Sequence, residues 1–246
     1  MANWTITALD TGASTIEKSV ITYLVDCGQP ITLVRIMFFI NGPRKIIVDT
    51  SVGDAEQGLR VVGEATDRRP EQEPARALEL AGIDPSSIDD VIITHLHWDH
   101  CGNNHLFPRA RVLVQYDELR YAAAPSSAFC RGFMSPVIGE TPPWWGSRFE
   151  PIDDDVEVAD GVRIVKVPGH TPGSQAVLVN TTDGVYAITG DAIFTYENAE
   201  RMIPPGYHWR VDESLAAMQR ILRSCDHYLP SHDYRVFERG SPARFP

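Results

Sequence analysis

Val91-Ile92-Ile93-Thr94-His95-Leu96-His97-Trp98-Asp99-His100 decides how the rest of the chain is read. The short apolar run reads as a buried strand, and the loop that follows carries three imidazoles and a carboxylate within six residues. A lone histidine is most often a satisfied surface or core residue. Four metal-capable side chains in this order at a strand end build a metal site.

Further out, the chain supplies what such a site still lacks. His170 lies in Val167-Pro168-Gly169-His170-Thr171-Pro172-Gly173, Asp191 in Thr189-Gly190-Asp191-Ala192, and His232 in Leu229-Pro230-Ser231-His232-Asp233. Each follows an apolar run that reads as a strand: Val162 to Val167, Val185 to Thr189, and His227 to Leu229. Ligands at strand ends are expected where loops carry chemistry on a rigid scaffold. Imidazole and carboxylate ligands suit zinc, and also accept manganese, iron or cobalt.

Ile31 to Ile40 and Lys45 to Asp49 read as two strands joined at Asn41-Gly42-Pro43. Pro74 to Ala81 reads as a short helix, with Pro in its first turn and Gly82 at its stop. Leu215, Met218, Ile221 and Leu222 recur at helical spacing behind an Asp212 cap, a stripe expected to lie on a sheet. Two stretches resist assignment, Gly53 to Glu73 and Ala122 to Pro151. The second carries Phe129, Phe133, Met134, Trp144 and Trp145, which suit a lid or pocket wall, a satellite core, or a dimer contact that leaves a homodimer open. No repeat or linker divides the chain, so residues 1–246 are read as a single domain with lid or pocket-wall segments near 53–73 and 122–151.

A net charge of −11 argues against nucleic acid as partner, since that affinity rests on Lys and Arg at phosphates. Cys27, Cys101, Cys130 and Cys225 show no CxxC pairing, which points to a reducing, cytoplasmic setting. The start Met1-Ala2-Asn3-Trp4-Thr5 lacks the pattern of a secretory signal, and no window is long and apolar enough to span a bilayer. A small-molecule substrate is the expectation.

The sequence resembles the metallo-β-lactamase superfamily, whose mark is H-x-H-x-D-H followed by a distant His, Asp and His. The resemblance runs from Ile46-Ile47-Val48-Asp49-Thr50 through His232. It implies an α+β, αββα sandwich: two mixed sheets packed face to face, helices on the outer faces, and metals along one edge. It also implies two divalent metal ions, most simply zinc, with His95, His97 and His170 on the first, Asp99, His100 and His232 on the second, and Asp191 bridging. Asp49 is then expected to accept a hydrogen bond from a ligand histidine, an ordinary turn aspartate being the alternative.

Within the superfamily the chain is most similar to the N-acyl-homoserine lactonase group, in length and in Gly190-Asp191-Ala192-Ile193-Phe194-Thr195-Tyr196-Glu197-Asn198. That resemblance implies a dinuclear hydrolase that opens a small lactone or related ester by attack of a metal-bridging hydroxide on the carbonyl. Hydrolysis of an amide, cyclic imide or thioester, as in glyoxalase II, is the alternative, and a mononuclear persulfide dioxygenase a more distant one. Two positions depart from the lactonase pattern: Phe194 stands where those enzymes commonly carry Tyr, and Ser174 where they usually carry His. The expected catalytic residues are therefore Asp99, Asp191 and, as a stand-in donor, Tyr196, the alternative being that the metals alone or a better leaving group make a donor at this point unnecessary. Trp98, Phe194 and His208 are expected to contact substrate.

Overall fold

The computed structural model describes residues 3–238 and 240–246. Its first six strands are β1 (Thr5–Glu17), β2 (Pro30–Asn41), β3 (Lys45–Val48), β4 (Asp90–Ile92), β5 (Arg111–Gln115) and β6 (Phe149–Ile152). β7 (Val156–Ala159), β8 (Val162–Lys166), β9 (Gln175–Thr181), β10 (Gly184–Ile188), β11 (His227–Leu229) and β12 (Ala243–Phe245) follow. They form two mixed sheets, ordered β12-β1-β2-β3-β4-β5-β6 and β11-β10-β9-β8-β7. The strands at 31–40 and 45–49 and the turn between them are where the sequence places them.

Alternation along β2 explains the layering, because side chains two apart share a face. Val34, Ile36, Phe38 and Ile40 point between the sheets and meet Val162, Ile164, Val177, Val179 and Ile188. Met37 and Phe39 point the other way and meet Leu78 of a helix. Five helices are described: α1 (Ala55–Val61), α2 (Pro74–Leu80), α3 (Tyr116–Ala123), α4 (Tyr196–Arg201) and α5 (Val211–Ser224). α2 covers the outer face of the larger sheet, and α5 covers the smaller one through Ala217, Met218 and Ile221. This is the sandwich that the superfamily resemblance implies.

Asp212 lies in the first turn of α5 rather than capping it, because the helix begins at Val211 behind Arg210. An acidic residue there still meets the positive end of the helix. The buried stripe of α5 is Ser214, Ala217, Met218 and Ile221, with Leu222 packed at its margin.

The β1–β2 pairing shifts register between Asp10–Ile36 and Ala13–Val34, so Thr11 and Gly12 stand opposite Arg35 alone. Such bulges re-aim side chains beside functional sites. Gly12 has φ +113°, and a Cβ there would lie 2.9 Å from the Asp67 carbonyl oxygen, so only glycine fits. Among the described residues, no helix is long and apolar enough to cross a membrane.

Candidate metal centre

β10 runs parallel to β11, and β8 and β10 are each antiparallel to β9, so β8, β10 and β11 share one direction. Their carboxyl ends deliver His170, Asp191 and His232, while the loop after β4 delivers His95 through His100. Two buried groups result: His95, His97, His170 and Asp191, with ligand atoms within 4.8 Å of one another, and Asp99, His100 and His232 likewise. Asp191 faces both. Its Oδ2 lies 3.4 Å from His170 Nε2 and 3.7 Å from His95 Nε2. Its Oδ1 lies 3.2 Å from His100 Nε2 and 3.1 Å from His232 Nε2. All seven residues that the motif singles out are brought together.

The outward nitrogens of four of these rings are held by oxygens. His170 Nδ1–H donates to the Tyr207 carbonyl at 2.7 Å, and His232 Nδ1–H to the Val34 carbonyl at 2.9 Å. His100 Nδ1–H donates to Asp49 Oδ2 at 2.8 Å. His95 Nδ1 lies 3.1 Å from Thr94 Oγ1, whose own hydrogen goes to Asp49 Oδ2 at 2.8 Å. A ring whose Nδ1 carries the proton presents a bare lone pair at Nε2.

Those lone pairs converge without a proton between them. His95 Nε2 and His170 Nε2 are 3.2 Å apart, and His97 Nδ1 lies 3.0 Å and 2.9 Å from them. The Nε2 atoms of His100 and His232 are buried without a hydrogen-bond partner, although both face a carboxylate. Acceptors aimed at acceptors in a buried site repel unless a cation sits among them, so this donor set fits divalent metal ions.

The electrostatics agree. Burial pushes the pKa values of His95, His97 and His170 below the ordinary histidine value, which keeps them neutral as ligands must be. Burial opposes charge on His100 too, but Asp191, Asp99 and Asp49 together outweigh it and hold its pKa well above the ordinary value. These carboxylates call for positive charge at that point. Asp99 is also buried, yet the Arg35 guanidinium and its histidine neighbours bring it down to about 2.

Asp49 makes the contact expected of it, and its Oδ1 also accepts the Thr94 amide at 2.7 Å. Trp98 and Phe194 line a cavity of about 270 Å³ above the ligands, with Ile16, Val20 and Leu33. Phe194 stands between the rings of His170 and His232, at centroid distances of 5.3 and 5.2 Å. The segments 53–73 and 122–151 contribute Val62 and Glu64, and Ala128, Arg131 and Gly132, to the same wall. Trp144 and Trp145 do not reach it. Trp144 is buried under the larger sheet beside Phe149, and Trp145 is exposed.

Tyr196 does not reach the ligands either. The chain turns into α4 at this residue, so alternation between 194 and 196 is lost. Its hydroxyl donates to the Tyr228 carbonyl at 3.3 Å, and its ring lies under Arg235 in a different depression. His208 is likewise outside the cavity, donating to the Pro205 carbonyl at 2.7 Å and standing edge-on to Tyr23. Ser174 turns inward and bonds Thr171, which keeps it within the His170 loop.

Three residues escaped the sequence reading. Arg35 is buried and pairs with Asp99 and, at 2.7 Å, with Glu64, while its guanidinium lies 5.5 Å from the Trp98 ring. Glu118 ties the ligand loops together, accepting from Leu96 N at 2.8 Å, Thr171 Oγ1 at 2.7 Å and Gly173 N at 3.1 Å. Burial pushes its pKa up to about 7. Tyr207 both orients His170 through its carbonyl and lines the cavity with its side chain. Its one sequence signal is the preceding Pro204-Pro205-Gly206 turn, where a Cβ on Gly206 would lie 1.7 Å from the Ser19 carbonyl oxygen.

The family model of the metallo-beta-lactamase superfamily matches residues 24–229. An N-acyl homoserine lactonase of a Bacillus species is 31% identical over 173 residues, a match covering 67% of this chain and 64% of that protein. The match thus spans less than two thirds of the relative's length. Among solved structures, Bacillus thuringiensis AiiA (mutant F107W, with N-decanoyl-L-homoserine bound) superposes with a TM-score of 0.79 at 22% identity, covering 96% of this chain and 95% of that one. The dizinc quorum-quenching lactonase AidC gives 0.71 at 15% identity, covering 95% and 89%. At these identities the superpositions speak for the fold alone. With the family model spanning most of the chain and the buried ligand set in place, the protein belongs to the metallo-β-lactamase superfamily.

Proposed function

We propose that this chain is a metal-dependent hydrolase that opens a small lactone or related carboxylic ester. The observation that carries the reading is Asp191, whose two carboxylate oxygens each face a separate cluster of inward-pointing imidazole nitrogens. His95, His97 and His170 would hold one divalent cation and Asp99, His100 and His232 the other, with Asp191 shared. Zinc is the simplest choice for such ligands. When bound, such ions supply Lewis acidity and lower the pKa of water toward neutrality.

The chain's own groups do the rest. Ile16, Val20, Leu33, Trp98 and Phe194 give the cavity an apolar wall that seats the body of a small substrate and excludes bulk water. The outward hydrogen bonds to Tyr207, Val34, Asp49 and Thr94 lock the rings of His170, His232, His100 and His95, which limits reorganisation as charge develops. Ser231 Oγ donates to Asp191 Oδ1 at 2.7 Å and orients that carboxylate. The lactonase name of the Bacillus relative favours a lactone over an amide or thioester. Four free cysteines fit a reducing, cytoplasmic setting.

The test is a screen of zinc-loaded protein against γ-lactones, aryl esters, thioesters and cyclic amides, followed by proton release, together with elemental analysis. Lactone opening at about two metal ions per chain is expected, as for other paired-metal hydrolytic sites. One tightly held iron with oxygen-dependent turnover would remove the proposal.

A further inference from the structure

Opening an ester ring leaves negative charge on the departing oxygen, and a hydrogen-bond donor aimed at that atom lowers the barrier. The side-chain donors lining the cavity are Arg35, Trp98, Arg131 and Tyr207, beside the ligand histidines. Both terminal amines of Arg35 are engaged, by Asp99 and Glu64. Phe194 has no hydroxyl, and Tyr196 is bound elsewhere. Tyr207 contributes the only hydroxyl among the described residues that line the cavity. No described residue hydrogen-bonds to that hydroxyl, and Tyr207 is half-buried at the cavity wall, so the phenol is open to a bound molecule.

Its position is defined from two directions. The Tyr207 ring lies 5.5 Å from the His97 ring and 5.9 Å from the His170 ring. A Cβ built on Gly132 would sit 3.0 Å from the Tyr207 hydroxyl oxygen and 3.1 Å from His97 Nε2, so the hydroxyl and this ligand ring flank one point of the wall. Glycine at 132 leaves that point open. The backbone of Tyr207 is fixed by its carbonyl to His170 and its amide to the Val20 carbonyl at 2.9 Å. The phenol therefore projects from a rigid loop toward the place where substrate meets the ligand cluster.

We propose that Tyr207 is a catalytic residue that donates a hydrogen bond to the departing oxygen of the substrate; this rests on the ester or lactone reading above. In the step, water oxygen bonds to the carbonyl carbon, and the carbon–oxygen bond of the ring breaks with its electron pair on the departing oxygen. The proton released by water ends, through solvent, on that oxygen. The phenol keeps its own proton.

The experiment compares metal-loaded wild type with Tyr207→Phe on a γ-lactone, whose leaving group is an alkoxide, and on aryl esters of graded leaving-group acidity. Loss of one such donor should lower kcat on the lactone by roughly 10²–10³-fold. The most activated aryl ester should change by only a few fold, and dependence on leaving-group acidity should steepen, at unchanged metal content. Equal losses on both substrates, no loss on either, or loss accompanied by metal depletion would overturn the assignment. Wild type that cleaves aryl esters but no lactone would refute the lactone reading alone, and the ester series would still decide the role of Tyr207.

Discussion

Asp49 Oδ2 accepts the Nδ1–H of His100 at 2.8 Å, and the same oxygen accepts the Thr94 hydroxyl at 2.8 Å. One carboxylate thereby orients two ligand rings, His100 directly and His95 through Thr94. Asp49 sits at φ 59°, a left-handed conformation that Asn also tolerates. Asp49→Asn should therefore fold normally yet hold metal about 10–100-fold less tightly, as when other such supporting contacts are lost. Competition with a chromophoric chelator measures this, and native affinity in the variant would refute the orienting role.

Tyr196→Phe should leave turnover unchanged. The substitution removes a long hydrogen bond to Tyr228, far from the ligands, and should cost no more than about 1 kcal/mol. Steady-state kinetics with a denaturation curve check both halves. A kcat loss of ten-fold or more would mean that the phenol reaches substrate.

Trp98 is both cavity wall and core. Its ring packs with Val52, Val61 and Met134, and a Cβ on Gly58 would lie 2.4 Å from it. Trp98→Ala should raise KM and, as for other buried aromatics truncated to Ala, lower stability by about 3–5 kcal/mol. That is a larger loss than a free-standing pocket wall would show. Trp98→Phe should recover most of the stability while part of the rise in KM remains, as steady-state kinetics and a denaturation curve would show.

Arg35→Met leaves Asp99 and Glu64 without their buried cation. The expected loss is about 3–5 kcal/mol, typical of breaking a buried pair from one side. Adding Glu64→Leu should restore part of it, because one of the stranded carboxylates is then gone. A double-mutant cycle from urea unfolding reads the coupling, and strict additivity would show that Glu64 does not depend on Arg35.

Glu118 gives the stability a pH dependence of definite sign. Its folded pKa of about 7 lies above the ordinary 4.5, so between these values the folded protein keeps a proton that the unfolded chain has lost. The stabilisation present below about pH 4.5 is lost as pH rises through about 7, by up to roughly 3 kcal/mol at about 1.4 kcal/mol per unit. Glu118→Gln should lack this term. The stability of wild type relative to the variant should therefore fall between pH 5 and pH 8 at fixed metal saturation, and a flat difference would contradict it.

The legible part of the site was the part whose chemistry dictates residue type. Metal ligands are drawn from a few residue types such as His, Asp, Glu and Cys, and four of the seven fall in one short loop, so they stand out in a single sequence. The strands stand out because β2 alternates strictly between two buried faces. Arg35, Glu118 and Tyr207 were hidden for the opposite reason. Arg35 looks like an exposed residue within a strand, Glu118 like an ordinary acidic residue in the first turn of α3, and Tyr207 like one loop aromatic among several. Each acquires its role only when segments distant in sequence meet. Tyr196 shows the converse, since its proximity to Asp191 along the chain does not survive the turn into α4.

Two neighbouring residues of β2 serve the same half of the centre: the Val34 carbonyl steadies His232, and the Arg35 side chain grips Asp99. The bulge at Thr11 and Gly12 accommodates Arg35 in the pairing, and Thr11 Oγ1 donates to the Arg35 carbonyl at 2.8 Å. β2 therefore works as a vernier, in which a slip of one residue would present both contacts to the wrong face. The second ligand group is thus gauged by a glycine on a neighbouring strand that touches none of its members. Lengthening or shortening β1 at this point should disturb His232 and Asp99 together while leaving the His95, His97 and His170 cluster in place.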